Sequence, residues 1–333
     1  MVDLSGIIRP GDGIVWGQAC AEPQTLAEAL ITQRTELSGC EVFLGINYSG
    51  TVKPENADHL RLSAYCGTGH NRALADAGVL EILPVPYSQL GALIRAGRIR
   101  ADVVFVQVSR PNARGEYSLG LAADYLVPAL EVCRAIVAEV NDQVPWTYSD
   151  KVFRQEDFSL MVETSRPSAS PSSRAPGAVE TAIARHAASF VPDGAVLEFG
   201  IGALPDAVCS FLDGRKNLSI HSGTVGDGIV ELLQKGIATR ADAALLIGTR
   251  KLFDFARENE AIRLRSSEYT HGPQQLARLE RFVAINSALE IDLTGQVNGE
   301  VAGGSYVGAV GGAPDFIRAA NQSPGGVSLM LLP

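Results

Sequence analysis

The chain has 333 residues, enough for two domains of ordinary size, and its 46 % hydrophobic and 20 % charged residues give the balance of a globular protein. A net charge of −9 argues against a dedicated nucleic-acid binder, whose surface is basic, while leaving room for a local basic pocket. No apolar run is long enough to span a bilayer, and Met1-Val2-Asp3-Leu4-Ser5 lacks the basic and apolar regions of a signal peptide. The five cysteines, none at metal-ligand spacing, fit a reduced cytoplasmic protein with small buried thiols.

In chain order, Gly13-Ile14-Val15-Trp16 is predicted as the first strand. A loop and a helix over Pro23–Leu30 follow, with the proline in the first turn. Glu41–Leu44 is the next strand. Ala101–Val108 is the clearest, a near-continuous apolar run typical of a parallel strand covered on both faces, and Ala135–Val140 is another. Strands alternating with helices predict parallel βαβ units. Residues 165–177 read Ser-Arg-Pro-Ser-Ala-Ser-Pro-Ser-Ser-Arg-Ala-Pro-Gly, poor in hydrophobic residues and rich in turn formers. This predicts a linker between a first domain over 1–164 and a second over 178–333. Beyond it the alternation resumes, with a helix over Ala178–Phe190. A strand over Ala195–Phe199 runs into Gly200-Ile201-Gly202 and a helix from about Pro205. Further strands are expected over Asn217–His221, Ala243–Gly248, Phe282–Asn286, Ala288–Asp292 and Val327–Leu332.

Several stretches carry more than periodicity. In the second half they are Phe199–Val208, Ile220–Leu232, Asn286-Ser287-Ala288-Leu289-Glu290-Ile291-Asp292-Leu293-Thr294-Gly295-Gln296-Val297, and Val310-Gly311-Gly312-Ala313-Pro314-Asp315-Phe316. In the first half they are Pro111–Gly120 and Ile136–Pro145. Through these segments, spread over nearly the whole chain, it resembles the acetyl-CoA hydrolase/transferase family of the class I CoA-transferase superfamily, and within it the 4-hydroxybutyrate/acetate CoA-transferases. The resemblance implies two open, mostly parallel α/β domains of the CoA-transferase (NagB/RpiA-like) type with an acyl-CoA site at their interface. It also implies a coenzyme A thioester as substrate, no permanently bound cofactor, no metal, and assembly as a homo-oligomer or with a partner subunit.

Three departures from the family pattern stand out. Transferases of the family carry a glutamate after the His-Ser/Thr pair, whose carboxylate forms the acyl and CoA adducts, and here that position is Gly223. The stretch Tyr269-Thr270-His271-Gly272-Pro273 places His271 where the family has an asparagine. Family members also usually continue well beyond the last strand seen here, so the chain looks short at its C-terminus.

Thioester chemistry needs a nucleophile, a proton acceptor and donors for the oxyanion. His271 is a candidate general base in a loop stiffened by Gly272-Pro273. Glu198, near the carboxyl end of an apolar strand, is a candidate substitute carboxylate, with a solvent-facing or arginine-paired glutamate as the plain alternative. Gly311-Gly312 are candidates for backbone oxyanion donors, against a simple tight turn, and Ala313 beside them is expected to contact CoA or the substrate. Gly200 and Gly202, at a strand-to-helix junction, are expected to contact CoA or shape its channel. His221 is expected to shape the pocket. Gly223 is expected to leave room for water. Glu22, in the first strand-to-helix loop, is a weaker candidate against a helix-capping role. His59, His70 and His186 have no such context. The reading that follows is an acyl-CoA hydrolase, because water and an oxyanion hole survive the loss of the glutamate. The alternatives are a CoA-transferase with a relocated carboxylate, a CoA-transferase-like C–C bond hydrolase, and a non-catalytic CoA-binding subunit.

Overall fold

The structure, a computed structural model, describes residues 2–170 and 175–332. Its main strands are β1 (Gly13–Trp16), β2 (Glu41–Phe43), β3 (Arg61–Ala64), β4 (Leu80–Ile82), β5 (Val103–Val108), β6 (Ala135–Asn141), β7 (Tyr148–Ser149) and β8 (Leu160–Thr164), followed in the second half by β9 (Val196–Phe199), β10 (Leu218–Val225), β11 (Ala238–Leu246), β12 (Ile262–Leu264), β13 (Phe282–Ser287) and β14 (Val327–Leu331). They form two 7-stranded sheets, ordered β8-β6-β5-β1-β2-β3-β4 and β14-β13-β9-β10-β11-β12-β7. Every pairing within them is parallel.

The expected α/β architecture is therefore the observed one. Central strands are the apolar runs: every residue of β5 is buried, because helices cover both faces of a parallel sheet. The helix Gln24–Gln33 buries Leu26, Ala27, Ala29 and Leu30 on one side and leaves its polar residues outward. β3, β4, β7, β8 and β12, absent from the sequence reading, are two to five residues long and lie away from the sheet centres. β7 precedes residues 165–177 in the chain yet closes one edge of the second sheet by pairing with β12. Residues 165–170 and 175–177 carry no helix or strand, and 171–174 lie outside the described residues.

One expected strand joins neither 7-stranded sheet. Within Ala288–Asp292 only Glu290–Ile291 is extended, paired antiparallel with Val297–Asn298. The Asp292 carboxylate accepts from the backbone N–H of Thr294 and of Gln296, which turns the chain back on itself.

In the first sheet the first strand, and in the second sheet the first strand after residues 165–177, lies inside the sheet, and the strands that follow it leave in opposite directions. β1 lies between β2 and β5, and β9 between β10 and β13. Ligands of such sheets bind where the order reverses, at the carboxyl ends of the strands. The first half supplies a third wall there. Gly67 N–H donates to the Gly308 carbonyl, Tyr87 N–H to Gly311, and Ala123 N–H to Ala244 at the end of β11.

Candidate active site

A cavity of about 330 Å³ lies at the reversal point of the second sheet, between loops of the two halves. Its walls include Glu198, Gly200, Gly223, His271, Asn286, Gly311, Gly312 and Ala313, and its floor Ile46, Tyr65, Tyr87 and Phe316. A second, outer cavity of about 480 Å³ shares Phe199, Gly200, Ile201 and Thr224 with it and continues past Gly202, Asp206, Asp227 and Lys251.

Glu198 is the next-to-last residue of β9 and is 2 % exposed. A register shift in the β9–β10 pairing, between Leu197 and Phe199, sets it opposite the segment that ends in Gly223. The Asn286 side-chain amide, at the end of β13, donates to Glu198 Oε2 at 2.8 Å. Burial pushes the Glu198 carboxyl up to about 8, and the Asn286 amide and the Ile285 backbone offset this only in part. At neutral pH the group is mostly a carboxylic acid, and it ionises just above. It is neither solvent-facing nor paired with arginine.

His271 lies between two short helices, Ser267–Thr270 and Pro273–Leu276, and is 3 % exposed. Its ring is packed between Tyr87 and Phe316, with centroids 4.6 Å and 4.5 Å away. Thr270 Oγ1 donates its proton to the Ser266 carbonyl at 3.1 Å and lies 2.8 Å from His271 Nδ1. The hydroxyl must therefore accept from Nδ1–H, which leaves Nε2 with its lone pair. Burial, reinforced by the like charge of His221, drives the imidazole down to about 3, so the ring is neutral throughout the physiological range.

Gly223 and Gly312 make this packing possible. A Cβ on Gly223 would stand 2.9 Å from His271 Nε2, and one on Gly312 only 2.6 Å away. The room that Gly223 was expected to leave for water is thus taken by the imidazole. A side chain at 223 and a ring at 271 compete for one volume.

Gly311, at φ +55°, turns the chain into Gly312, which caps the ten-residue helix Ala313–Gln322. The first N–H groups of a helix have no partner four residues back, so those of Gly312 and Ala313 are suited to developing negative charge. Asp315 anchors this helix to the first half, accepting from Ser88 N–H and Oγ at 3.1 and 2.9 Å.

Below the floor lies a closed polar network. Gln18, at the reversal point of the first sheet, donates through Nε2 to Tyr87 Oη and to Asp124 Oδ2, each at 2.7 Å. Its Oε1 accepts from Ile46 N–H at 2.8 Å and Tyr65 Oη at 3.0 Å. Burial raises the Asp124 carboxyl to about 6, so it remains mainly anionic at neutral pH.

Two predicted residues lie off both cavities. Glu22 is buried and accepts from the backbone N–H of Tyr48 and of Ser49, each at 2.8 Å, so it fixes the loop whose Tyr48 lines the outer cavity. His221 Nε2 donates to the Thr270 carbonyl at 2.9 Å, bracing the turn that carries His271. Gly202 lines only the outer cavity, and Gly200 lines both. Sequence reasoning passed over Asn286, Tyr65, Tyr87, Phe316 and Gln18. Only Asn286 had a readable signal, as a polar residue closing an apolar strand.

The chain matches the sequence models of the acetyl-CoA hydrolase/transferase N-terminal domain over residues 2–169 and C-terminal domain over residues 248–333. It is 34 % identical over 331 residues to the 4-hydroxybutyrate coenzyme A transferase of Clostridium kluyveri, covering 96 % of this chain and 77 % of that protein. Among solved structures, RipA from Yersinia pestis superposes with a TM-score of 0.91 at 28 % identity, over 98 % of this chain and 79 % of that one. The 4-hydroxybutyrate CoA-transferase from Porphyromonas gingivalis superposes with a TM-score of 0.81 at 30 % identity, over 99 % and 79 %.

Proposed function

The chain belongs to the acetyl-CoA hydrolase/transferase family, an enzyme of acyl-CoA chemistry, and we propose that within this family it hydrolyses acyl-CoA thioesters. The observation that carries the proposal is the packing of the His271 imidazole against Gly223, at the place where the resemblance puts the family's glutamate. Glu198, the remaining carboxyl group on the cavity wall among the described residues, is raised by burial to about 8, which is in the range where a general base works near neutral pH.

In this reading the acyl group occupies the inner cavity and the CoA arm leaves through the outer one. Ionised Glu198 takes a proton as water adds to the thioester carbonyl. The N–H groups of Gly312 and Ala313 hold the oxyanion, a donor of this kind contributing about 3–4 kcal/mol. Collapse of the adduct breaks the C–S bond. The proton held by Glu198 passes to the departing thiolate, giving a carboxylic acid and free CoA. His271 shapes the cavity rather than moving protons, since a group with so low a proton affinity is a poor base near pH 7. Coenzyme A is substrate here, not a resident group. The protein works in the cytoplasm as a homo-oligomer, with 1–164 and 178–333 as its two units. No helix among the described residues is long and apolar enough to cross a membrane.

The test is thiol release from acetyl-CoA and butyryl-CoA with and without added acetate. Free CoA should accumulate without the acceptor, faster as the pH rises through about 8. Release only in the presence of a carboxylate acceptor, or a borohydride-trapped CoA thioester at Glu198, would overturn hydrolysis in favour of transfer.

A further inference from the structure

Taking from the proposed function only that the acyl end occupies the inner cavity, we infer that this site admits short, uncharged acyl groups and excludes those that carry a second carboxylate. The volume of about 330 Å³ is at the lower end of the roughly 300–1,000 Å³ usual for small-molecule sites. Among the described lining residues there is no lysine or arginine. The polar groups present are already engaged or uncharged. Tyr65 Oη is spent on Gln18 at 3.0 Å, and Tyr87 Oη on Gln18 and Asp124 at 2.7 and 3.3 Å. The Asn286 amide is held by Glu198. What these tyrosines offer the ligand is ring surface, beside Ile46, Leu245 and Phe316.

The nearest fixed charge beneath this floor is of the wrong sign for an acid-bearing acyl group. Asp124 is fully buried, hydrogen-bonded to the hydroxyl of Tyr87, and faces Gln18, Tyr65 and Tyr87 with no cation among its hydrogen-bond partners. A carboxylate entering from solvent would shed its hydration, find no counter-ion among the described wall residues, and approach this anion. A methylene chain meets no such barrier, and each methylene it buries favours binding by about fourfold.

The experiment is calorimetric binding of non-hydrolysable thioethers to the intact wild-type chain, comparing S-butyl-CoA, S-(3-carboxypropyl)-CoA and S-dodecyl-CoA. S-butyl-CoA should bind at least about 100-fold more tightly than the carboxylated analogue, as expected for an unpaired buried charge, and at least as tightly as S-dodecyl-CoA. Equal affinity for the butyl and carboxypropyl compounds overturns the exclusion, tighter binding of the dodecyl compound overturns the size limit, and binding of none overturns both. Because binding needs no turnover, selective binding without thioester cleavage would keep this inference and remove the hydrolytic reading, while cleavage with unselective binding would do the reverse. As a converse, Thr68→Arg adds a cation at a half-buried wall position. It should narrow the butyl-to-carboxypropyl gap about tenfold or more. A folded variant with an unchanged gap would overturn the charge argument.

Discussion

The two sheets are built to the same plan and end at their reversal points in opposite ways. In the first, Gln18 has both side-chain atoms engaged by Ile46, Tyr65, Tyr87 and Asp124, and the point is sealed. In the second, Glu198 accepts from the Asn286 side chain on Oε2, and the point opens into a cavity. A satisfied polar cluster fixes loop geometry, and a buried acid with no cation beside it has its proton affinity raised by desolvation. On the proposed function the first sheet is then a floor and the second the reactive wall.

The largest effect is expected at Glu198. Glu198→Gln keeps the shape and a partner for Asn286 but removes the proton acceptor, so hydrolysis should fall by about 10²- to 10⁴-fold. Stability should move the other way. The folded-state carboxyl is raised from 4.5 to about 8, so its stabilising protonation is fully present below pH 4.5 and is lost as pH rises through about 8. The variant has no such loss. Above pH 8 it should unfold at higher denaturant concentration than the wild type. An unchanged rate with an unchanged pH profile would put the reactive group elsewhere.

At the sealed reversal point the effect should appear in folding instead. Gln18→Leu strips partners from Asp124, Tyr65 and the Ile46 N–H together, all of them buried. Leaving such groups unsatisfied costs about 2–5 kcal/mol in total. The denaturant midpoint should drop accordingly, while the pH dependence of any residual activity keeps its midpoint near that of Glu198. A shifted pH midpoint with normal stability would show that the floor also takes part in proton transfer.

What could be read from the sequence follows from how local each signal is. β5 was legible because a buried parallel strand is an unbroken apolar run, and Glu198 because it ends another such run. Gly223 and His271 stood out through resemblance. Their contact did not, since it depends on the Ser267–Thr270 helix folding the ring over β10. The Gln18 network draws on five separate segments of the first half, and no pattern within one of them announces it. Residues 288–292 look like a strand by composition, yet the Asp292 turn settles their fate by hydrogen bonds that periodicity does not contain.

The competition between positions 223 and 271 gives the next effect in size. Gly223→Glu alone should be strained, because its Cβ would stand 2.9 Å from His271 Nε2 and 3.4 Å from Phe316. Overpacking of this kind costs about 1–3 kcal/mol. Combining it with His271→Asn should recover most of that loss, a non-additivity readable in a double-mutant cycle. The double variant is also the one in which acceptor-dependent transfer should emerge. Simple additivity would mean that the two positions do not share a volume.

The smallest effect on turnover is expected from His271→Asn alone. The imidazole is neutral with a proton affinity near 3, so it contributes no ionisation to a rate profile between pH 5 and 9, and its loss should lower hydrolysis by less than about tenfold. Its mark should be on acid stability. Because the folded-state value lies below the ordinary 6.5, the contribution of the neutral ring is present above pH 6.5 and is lost as pH falls from 6.5 toward 3. Asparagine carries no such liability, but it leaves part of the space between Tyr87 and Phe316 empty, at a cost of about 1 kcal/mol. The variant should therefore be slightly less stable than the wild type at pH 7 and should overtake it in acid, so that their unfolding midpoints cross as pH is lowered. Parallel midpoints at all pH values would mean that the ring is not held neutral. A 10²-fold loss of rate, with a vanished limb near pH 6–7, would restore His271 as the base and make the reactive wall of the second sheet a two-residue device.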